Sequence, residues 1–242
     1  MKEFITLCFV MLLMGPQHET RAISGDLAAQ FKSDKATWFR YEIKTQHYRG
    51  NDWCDGQQHE SPIHLEGSDT AAVLVRVENN QIEKIKLYST ECTFDTAGLP
   101  FVWLTGVSNE ASLGFLKGLP MDGAIFAISQ HAGNEATDIL IDKAKNDHST
   151  HVREQAIFWL SQRAGAKSAA AIVDAITNDP DTGVKKKAVF ALSQLPHDEG
   201  VPKLIEVAQT QRNPEVRKQA FFWLGQTHDP RALAYIEDVL TK

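Results

Sequence analysis

Four acidic residues recur at one interval in the second half of this 242-residue chain: Asp142, Asp174, Glu206 and Asp238, each 32 residues after the one before. If a repeated element presents them alike, they form a row of carboxylates. Such a row could steer a basic segment of a partner by charge, or it could be no more than a solvated face that keeps the protein soluble. Other chemistry is sparse. His148 and His151 stand at i, i+3, and His59-Glu60 lies near His64. A zinc site needs three or four convergent ligands, and neither group has a third at suitable spacing, so neither a metal nor a cofactor is expected. The chain has no Gly-x-Ser-x-Gly, no phosphate-binding loop and no usable Ser/His/Asp grouping. No catalytic residue is assigned, and the reading leans away from an enzyme.

The elements that must position the acidic row are written four times. The phrases are Ala124-Ile-Phe-Ala-Ile-Ser-Gln130, Ala156-Ile-Phe-Trp-Leu-Ser-Gln162, Ala188-Val-Phe-Ala-Leu-Ser-Gln194 and Ala220-Phe-Phe-Trp-Leu-Gly-Gln226, again at an interval of 32. A fixed period of this size marks a solenoid, in which each unit buries its apolar face against its neighbours. Each phrase predicts a helix A, with an apolar stripe at i, i+3 and i+4. Ser149, Asp181 and Asn213 precede three of these helices as N-caps, and Pro214 suits the first helical position. Gly133 and Gly165 read as left-handed residues that end helix A. Helix B follows, with core columns Leu140/Ile172/Leu204/Ile236 and Ala144/Ile176/Ala208/Leu240. The acidic row stands two residues past the first of these, about 200° round the helix, and so points outward. Gln130, Gln162, Gln194 and Gln226 could line a binding edge; the structural alternative is that each satisfies the A–B turn. Trp159 and Trp223 read as half-buried packing. The sequence Trp103–Leu116 can be laid over Trp223–Ile236, which predicts a degenerate capping repeat at Phe101–Leu119.

These units resemble HEAT repeats, specifically the short bacterial kind also found in phycobilisome-lyase-like proteins. The resemblance covers roughly Phe101 to Lys242. It rests on Asp179…Val184-Lys185…Ala188…Leu192 and on Asn213-Pro-Glu-Val-Arg217…Ala220…Leu224. In that family an Asp before helix A and a basic residue within it form a ladder between units. Asp147/Arg153 and Asp179/Lys185 fit that pattern, whereas Gln211/Arg217 does not. The resemblance implies an α-solenoid and an interaction surface, and it fixes no reaction.

Residues 1–22 read as an export leader: Lys2, an apolar run Phe4–Met14, Gly15-Pro16, and a small residue for cleavage at Ala22. The run is too short to span a membrane, so the mature chain is expected to be periplasmic or secreted, with no stable membrane insertion. The formal charge of −6 argues against a nucleic-acid partner. Cys54 and Cys92 remain after cleavage. In an oxidising compartment two cysteines usually pair, and two free buried thiols are the alternative.

Residues 23–97 read as a small β-rich module ahead of the solenoid at 98–242. A short helix is expected within Gly25–Ser33 and a strand at Trp38–Ile43. A hairpin is expected from Ala71–Val77 and Ile82–Tyr88, turning through Glu78-Asn79-Asn80-Gln81. A polar loop fills His47–Gly67. Trp38…Tyr41, Cys54, Val75-Arg-Val77, Cys92-Thr-Phe-Asp95 and Leu99-Pro…Trp103-Leu resemble a group of exported bacterial HEAT-repeat proteins and imply no reaction. The leading reading is an exported, non-enzymatic scaffold that holds another protein; the sequence leaves its oligomeric state open. The rival is a bilin-lyase-like enzyme or small-ligand carrier with a pocket lined by Trp38, Trp53 or Trp103.

Overall fold

The computed structural model describes residues 18–48, 53–54, 57–58, 68–90, 92, 94–163 and 165–241. The strands are β1 (His18–Ala22), β2 (Thr37–Tyr48), β3 (Trp53–Cys54), β4 (Gln57–Gln58), β5 (Ser68–Glu78), β6 (Gln81–Ser89) and β7 (Phe101–Thr105). The helices are α1 (Asn109–Leu116), α2 (Asp122–Gln130), α3 (Asn134–Asn146), α4 (Thr150–Ser161), α5 (Ala166–Asn178), α6 (Thr182–Ser193), α7 (His197–Thr210), α8 (Pro214–Gln226) and α9 (Pro230–Leu240). A single 3₁₀ turn at Ala28–Gln30 stands where the short N-terminal helix was expected. Among the described residues, no helix is long and apolar enough to cross a membrane.

Five strands form one sheet in the order β1-β7-β2-β5-β6. β5 and β6 are the expected hairpin. Asn79 and Asn80 adopt φ of 51° and 59°, both left-handed, as a two-residue turn between right-twisted strands requires. Phe39, Tyr41 and Ile43 of β2 alternate towards the helices and are buried. β5 is buried on both faces: Val73, Val75 and Val77 join the helix-side core, while Ala72 and Leu74 join a smaller cluster with Trp38 and Phe101. The four-residue pairing of β3 with β4 falls inside the expected polar loop, most of which lies outside the described residues.

Phe101–Leu119 departs from the capping-repeat expectation. Phe101–Thr105 is a strand that runs parallel to both β1 and β2, and only Asn109–Leu116 is helical. Phe-Val-Trp-Leu is apolar enough for either state, and the vacancy between β1 and β2 decides it. Residues 18–22 of the expected leader form β1, and residues 1–17 lie outside the described residues.

The helical hairpins keep the 32-residue register: α2/α3, α4/α5, α6/α7 and α8/α9. Ala124, Ala156, Ala188 and Ala220 are all fully buried where helices A approach one another. Ser149 and Asp181 cap α4 and α6 by accepting from Val152 N and Val184 N, and Asn213 caps α8 through Glu215 N. Gly133 and Gly165 do have positive φ, of 96° and 135°, but they do not end helix A. Each is the residue before helix B, extended at ψ of 171° and 154°. Only glycine takes that conformation freely. One continuous apolar core runs from the sheet to Ala232.

Candidate functional site

The acidic row lies on the B helices, as its spacing predicts. Leu140, Ile172 and Leu204 are fully buried; two residues on, Asp142 and Glu206 are exposed and Asp174 is half-exposed. Asp238 is exposed on α9. Asp142 Oδ1 accepts a hydrogen bond from Asn146 Nδ2 at 2.7 Å, and Asp174 Oδ1 accepts one from Asn178 Nδ2 at 2.6 Å. The same i, i+4 pair thus recurs in successive units. In α7 Thr210 stands in the Asn position, and its hydroxyl bonds to the Glu206 carbonyl instead.

Between α3 and α5 runs a groove of about 690 Å³. Ala144, Ala170, Ala171 and Ala175 give it a shallow floor; Asp138, Lys145, Lys167 and Asp174 line its sides. A second groove of about 630 Å³ adjoins it at Asp138 and includes Glu135, Asp142, Asp147 and His148. The structure therefore gathers Asp142 and Asp174 with Asp138, Glu135 and Asp147, while Glu206 and Asp238 line neither groove. Two ion pairs cross between units here: Lys167 Nζ lies 3.0 Å from Asp138, and Lys145 Nζ lies 3.8 Å from Asp174. All four side chains are more than a third exposed, so these pairs hold weakly.

Among the described residues, no three His, Cys, Asp or Glu side chains converge as metal ligands do. His151 Nε2 meets Asp122 Oδ1 at 2.7 Å on the surface. The pocket expected around Trp38 and Trp103 is filled by protein. Trp38 is buried against Phe94, with ring centres 4.8 Å apart, and the Arg40 guanidinium covers Trp103 at 4.4 Å. The side chain of Trp53 lies outside the described residues.

Three members of the Gln column fold back on the end of their own helix A rather than onto the A–B turn. Gln130, Gln162 and Gln194 each donate to the hydroxyl of the preceding serine, and that serine donates to the carbonyl three residues back. Trp159 and Trp223 are half-buried. They rest on Phe126 and Phe190 of the preceding unit at 4.8 and 5.0 Å. Among the described residues, one largely buried rung of the ladder crosses units: Arg153 Nε donates to Asp179 Oδ2 at 2.8 Å and Nη2 to Oδ1 at 3.1 Å. Arg153 also donates to the Asp147 carbonyl. Lys185 donates to the Thr177 carbonyl, and Arg217 to the carbonyls of Gln211 and Arg212.

Sequence reasoning missed a buried polar chain where the sheet meets the helices. Tyr41 of β2, Ser112 of α1 and His131 after α2 are all fully buried. Ser112 Oγ lies 3.0 Å from Tyr41 Oη and 2.9 Å from His131 Nε2, and His131 Nδ1 lies 2.7 Å from the Ala127 carbonyl. A carbonyl only accepts, so Nδ1 carries the ring proton and Nε2 must accept. Ser112 Oγ donates to Tyr41 Oη, so its one proton does not serve His131 Nε2 at the same time. Burial pushes the His131 pKa down to about 4 and the Tyr41 hydroxyl well up. A Ser–His contact of this length suits nucleophilic catalysis, but here the serine is sealed from solvent and no carboxylate orients the imidazole. The chain pins the sheet to the solenoid. Around it, Ala132 N donates to the Lys44 carbonyl, Asn109 exchanges two hydrogen bonds with the Lys44 backbone, and Arg163 donates to the carbonyls of Ser129, His131 and Gly133.

Residues 169–242 match the family model for HEAT repeats. No curated protein matches the chain. Among solved structures, it is similar to a chain in the complex of CpcE and CpcF of phycocyanin lyase from Nostoc sp. PCC7120. That similarity has 17% identity and a TM-score of 0.42, and covers 55% of this chain and 91% of the other.

Proposed function

We propose that this HEAT-repeat solenoid is an exported, non-enzymatic interaction module that holds a basic segment of another protein along its B helices. HEAT repeats form solenoids suited to protein–protein contact. The observation that carries the finer reading is the α3–α5 groove. Its alanine floor lets a chain approach closely; Asp138 and Asp174 stand along it and Asp142 lines the adjoining groove, with only loosely tethered lysines beside them. Carboxylates so placed raise the encounter rate of a cationic segment, and the effect falls as salt rises. The test is to capture a partner from envelope extract with the whole protein and to measure its affinity across a salt series. It is then repeated with Asp174→Lys combined with Glu206→Lys. The reading expects affinity to fall with salt and to be lost in the double variant at unchanged melting temperature. Affinity indifferent to both would overturn it.

Export is part of the same reading. Its leader would end ahead of His18, because a cut after Ala22 would strip β1 from β7. A Cys54–Cys92 bridge fits an oxidising compartment. β3, which carries Cys54, lies beside β6. Thiol titration of unreduced, denatured protein from the envelope checks this; two free thiols there would refute the bridge.

A further inference from the structure

The outward faces of the A helices repeat three columns at the interval of 32: a charged residue, a phenylalanine four on, and a glutamine four further. In chain order they read Asp122-Phe126-Gln130, Glu154-Phe158-Gln162, Lys186-Phe190-Gln194 and Lys218-Phe222-Gln226. Steps of four keep each trio on one stripe of its helix. None of these residues is buried, whereas Ala156, Ile157 and Leu160 on the other side of α4 are. Trp159 and Trp223 join the rings: Phe126 and Phe158 lie 4.8 and 4.9 Å from Trp159, and Phe190 and Phe222 each 5.0 Å from Trp223. Phe126 meets Trp159 and Phe190 meets Trp223 at matching levels, so neighbouring A helices run parallel and in step. Gln162 and Gln194 each give one N–H to a serine, which leaves a carbonyl and a second N–H for another partner. The charged column changes sign halfway, from Asp122 and Glu154 to Lys186 and Lys218. Among the described residues, Glu154, Lys186 and Lys218 make no ion pair. Aromatic rings flanked by polar groups have the composition of an interface.

We propose that this ridge binds the same ridge of a second copy, about a two-fold axis that runs parallel to the A helices between α4 and α6, which pack side by side. Such an axis reverses the order of the units and keeps the helix direction. It sets Glu154 opposite the second copy's Lys186, and Lys186 opposite its Glu154. Phe158 then meets Phe190, and Gln162 meets Gln194, ring on ring and amide on amide. One unit further out, Asp122 stands opposite Lys218. An axis on α4 itself would set Glu154 against Glu154, and one on α6 would set Lys186 against Lys186; like charges so placed are costly. The sign change therefore selects one register, and one patch serves both copies, as an isologous contact requires. Any other protein would need the inverse of this pattern, and the ridge holds pattern and inverse on adjacent helices. The contact is centred on the two middle units, so neither end of the chain enters it. The α3–α5 groove lies on the B helices, so this inference does not depend on the groove's function.

Sedimentation equilibrium of the whole protein tests it, with Glu154→Lys, Lys186→Glu and the two combined in one chain. Neither side chain is buried, so fold is retained and is checked by circular dichroism and melting. The parent is expected at twice the monomer mass across the micromolar range. Each single reversal opposes like charges on both sides of the axis and should weaken association by about tenfold or more. The combined exchange restores opposite charges and should return association to within about threefold of the parent. Asp174→Lys, in the groove, should leave the dimer intact. A parent that is monomeric throughout this range overturns the proposal, as does a single reversal without effect, a combined exchange that fails to rescue, or a dimer lost with Asp174→Lys.

Discussion

Acid should loosen this protein through one histidine. His131 is neutral in the fold, with its pKa lowered from 6.5 to about 4, chiefly because it is buried and partly because the Arg163 guanidinium lies beside it. The unfolded chain binds this proton near pH 6.5 and the folded one does not. The stability contributed by neutral His131 is therefore complete above about pH 6.5 and is lost as pH falls towards 4. At 1.36 kcal/mol for each tenfold in proton affinity, the full loss is about 3 kcal/mol. About 2 kcal/mol of it is already gone at pH 5 by the same linkage. The geometry shows where the cost arises. A proton on Nε2 would find Ser112 Oγ as an acceptor 2.9 Å away, so the cost lies in carrying a positive charge into a sealed site beside the Arg163 guanidinium. Urea unfolding of the parent and of His131→Gln, between about pH 7.5 and pH 5, isolates this contribution, because the other histidines titrate in both proteins. The parent should lose about 2 kcal/mol more than the variant over that range. Parallel curves would refute the reasoning.

Four further outcomes test the packing. Ala188→Leu adds bulk at a fully buried helix contact and should cost roughly 1–3 kcal/mol; an unchanged melting temperature would contradict the stack. Gly123→Ala pushes α2 off β6 and should cost a similar roughly 1–3 kcal/mol in urea, with no loss expected if the sheet did not sit on the first repeat. Asp179→Asn leaves the buried Arg153 without its counter-charge and should cost about 3–5 kcal/mol. Lys145→Ala, at an exposed pair, should cost under about 1 kcal/mol by the same unfolding assay.

The solenoid was readable because every repeat states its rules locally. Apolar spacing, an N-cap and a small residue at the helix crossing recur at one interval, so four copies reinforce one reading. The β5–β6 hairpin was readable for the same reason, since Asn79-Asn80 supplies the left-handed turn within two residues. What escaped was non-local. β7 gains its partners from β1, about 80 residues earlier, and from β2, and nothing in Phe-Val-Trp-Leu distinguishes a parallel strand from a helix. β1 is polar because it is an edge strand, and that polarity made it look like the end of a leader. The Tyr41–Ser112–His131 chain joins three elements across sequence separations of 71 and 19 residues. Its only trace in the sequence is that His131 stands in a turn column otherwise filled by Arg163, Leu195 and Thr227.

The two ends of the array are closed by different physics, and the difference bears on how the protein works. At the sheet end, contact is polar and directional. Hydrogen bonds from Asn109, Ala132 and His131 can be satisfied in only one register, and a slip would strand buried donors at about 1–3 kcal/mol each. That end is built to be permanent. At the α9 end the large exposed side chains are apolar, Leu233, Val239, Leu240 and Phe222, and apolar burial is non-directional and scales with area. Such a face tolerates separation, because each freed side chain returns to water without leaving an unpaired polar group. The groove between α3 and α5 differs again: its charges stay solvated and paired only loosely, which suits a contact that forms quickly and responds to salt.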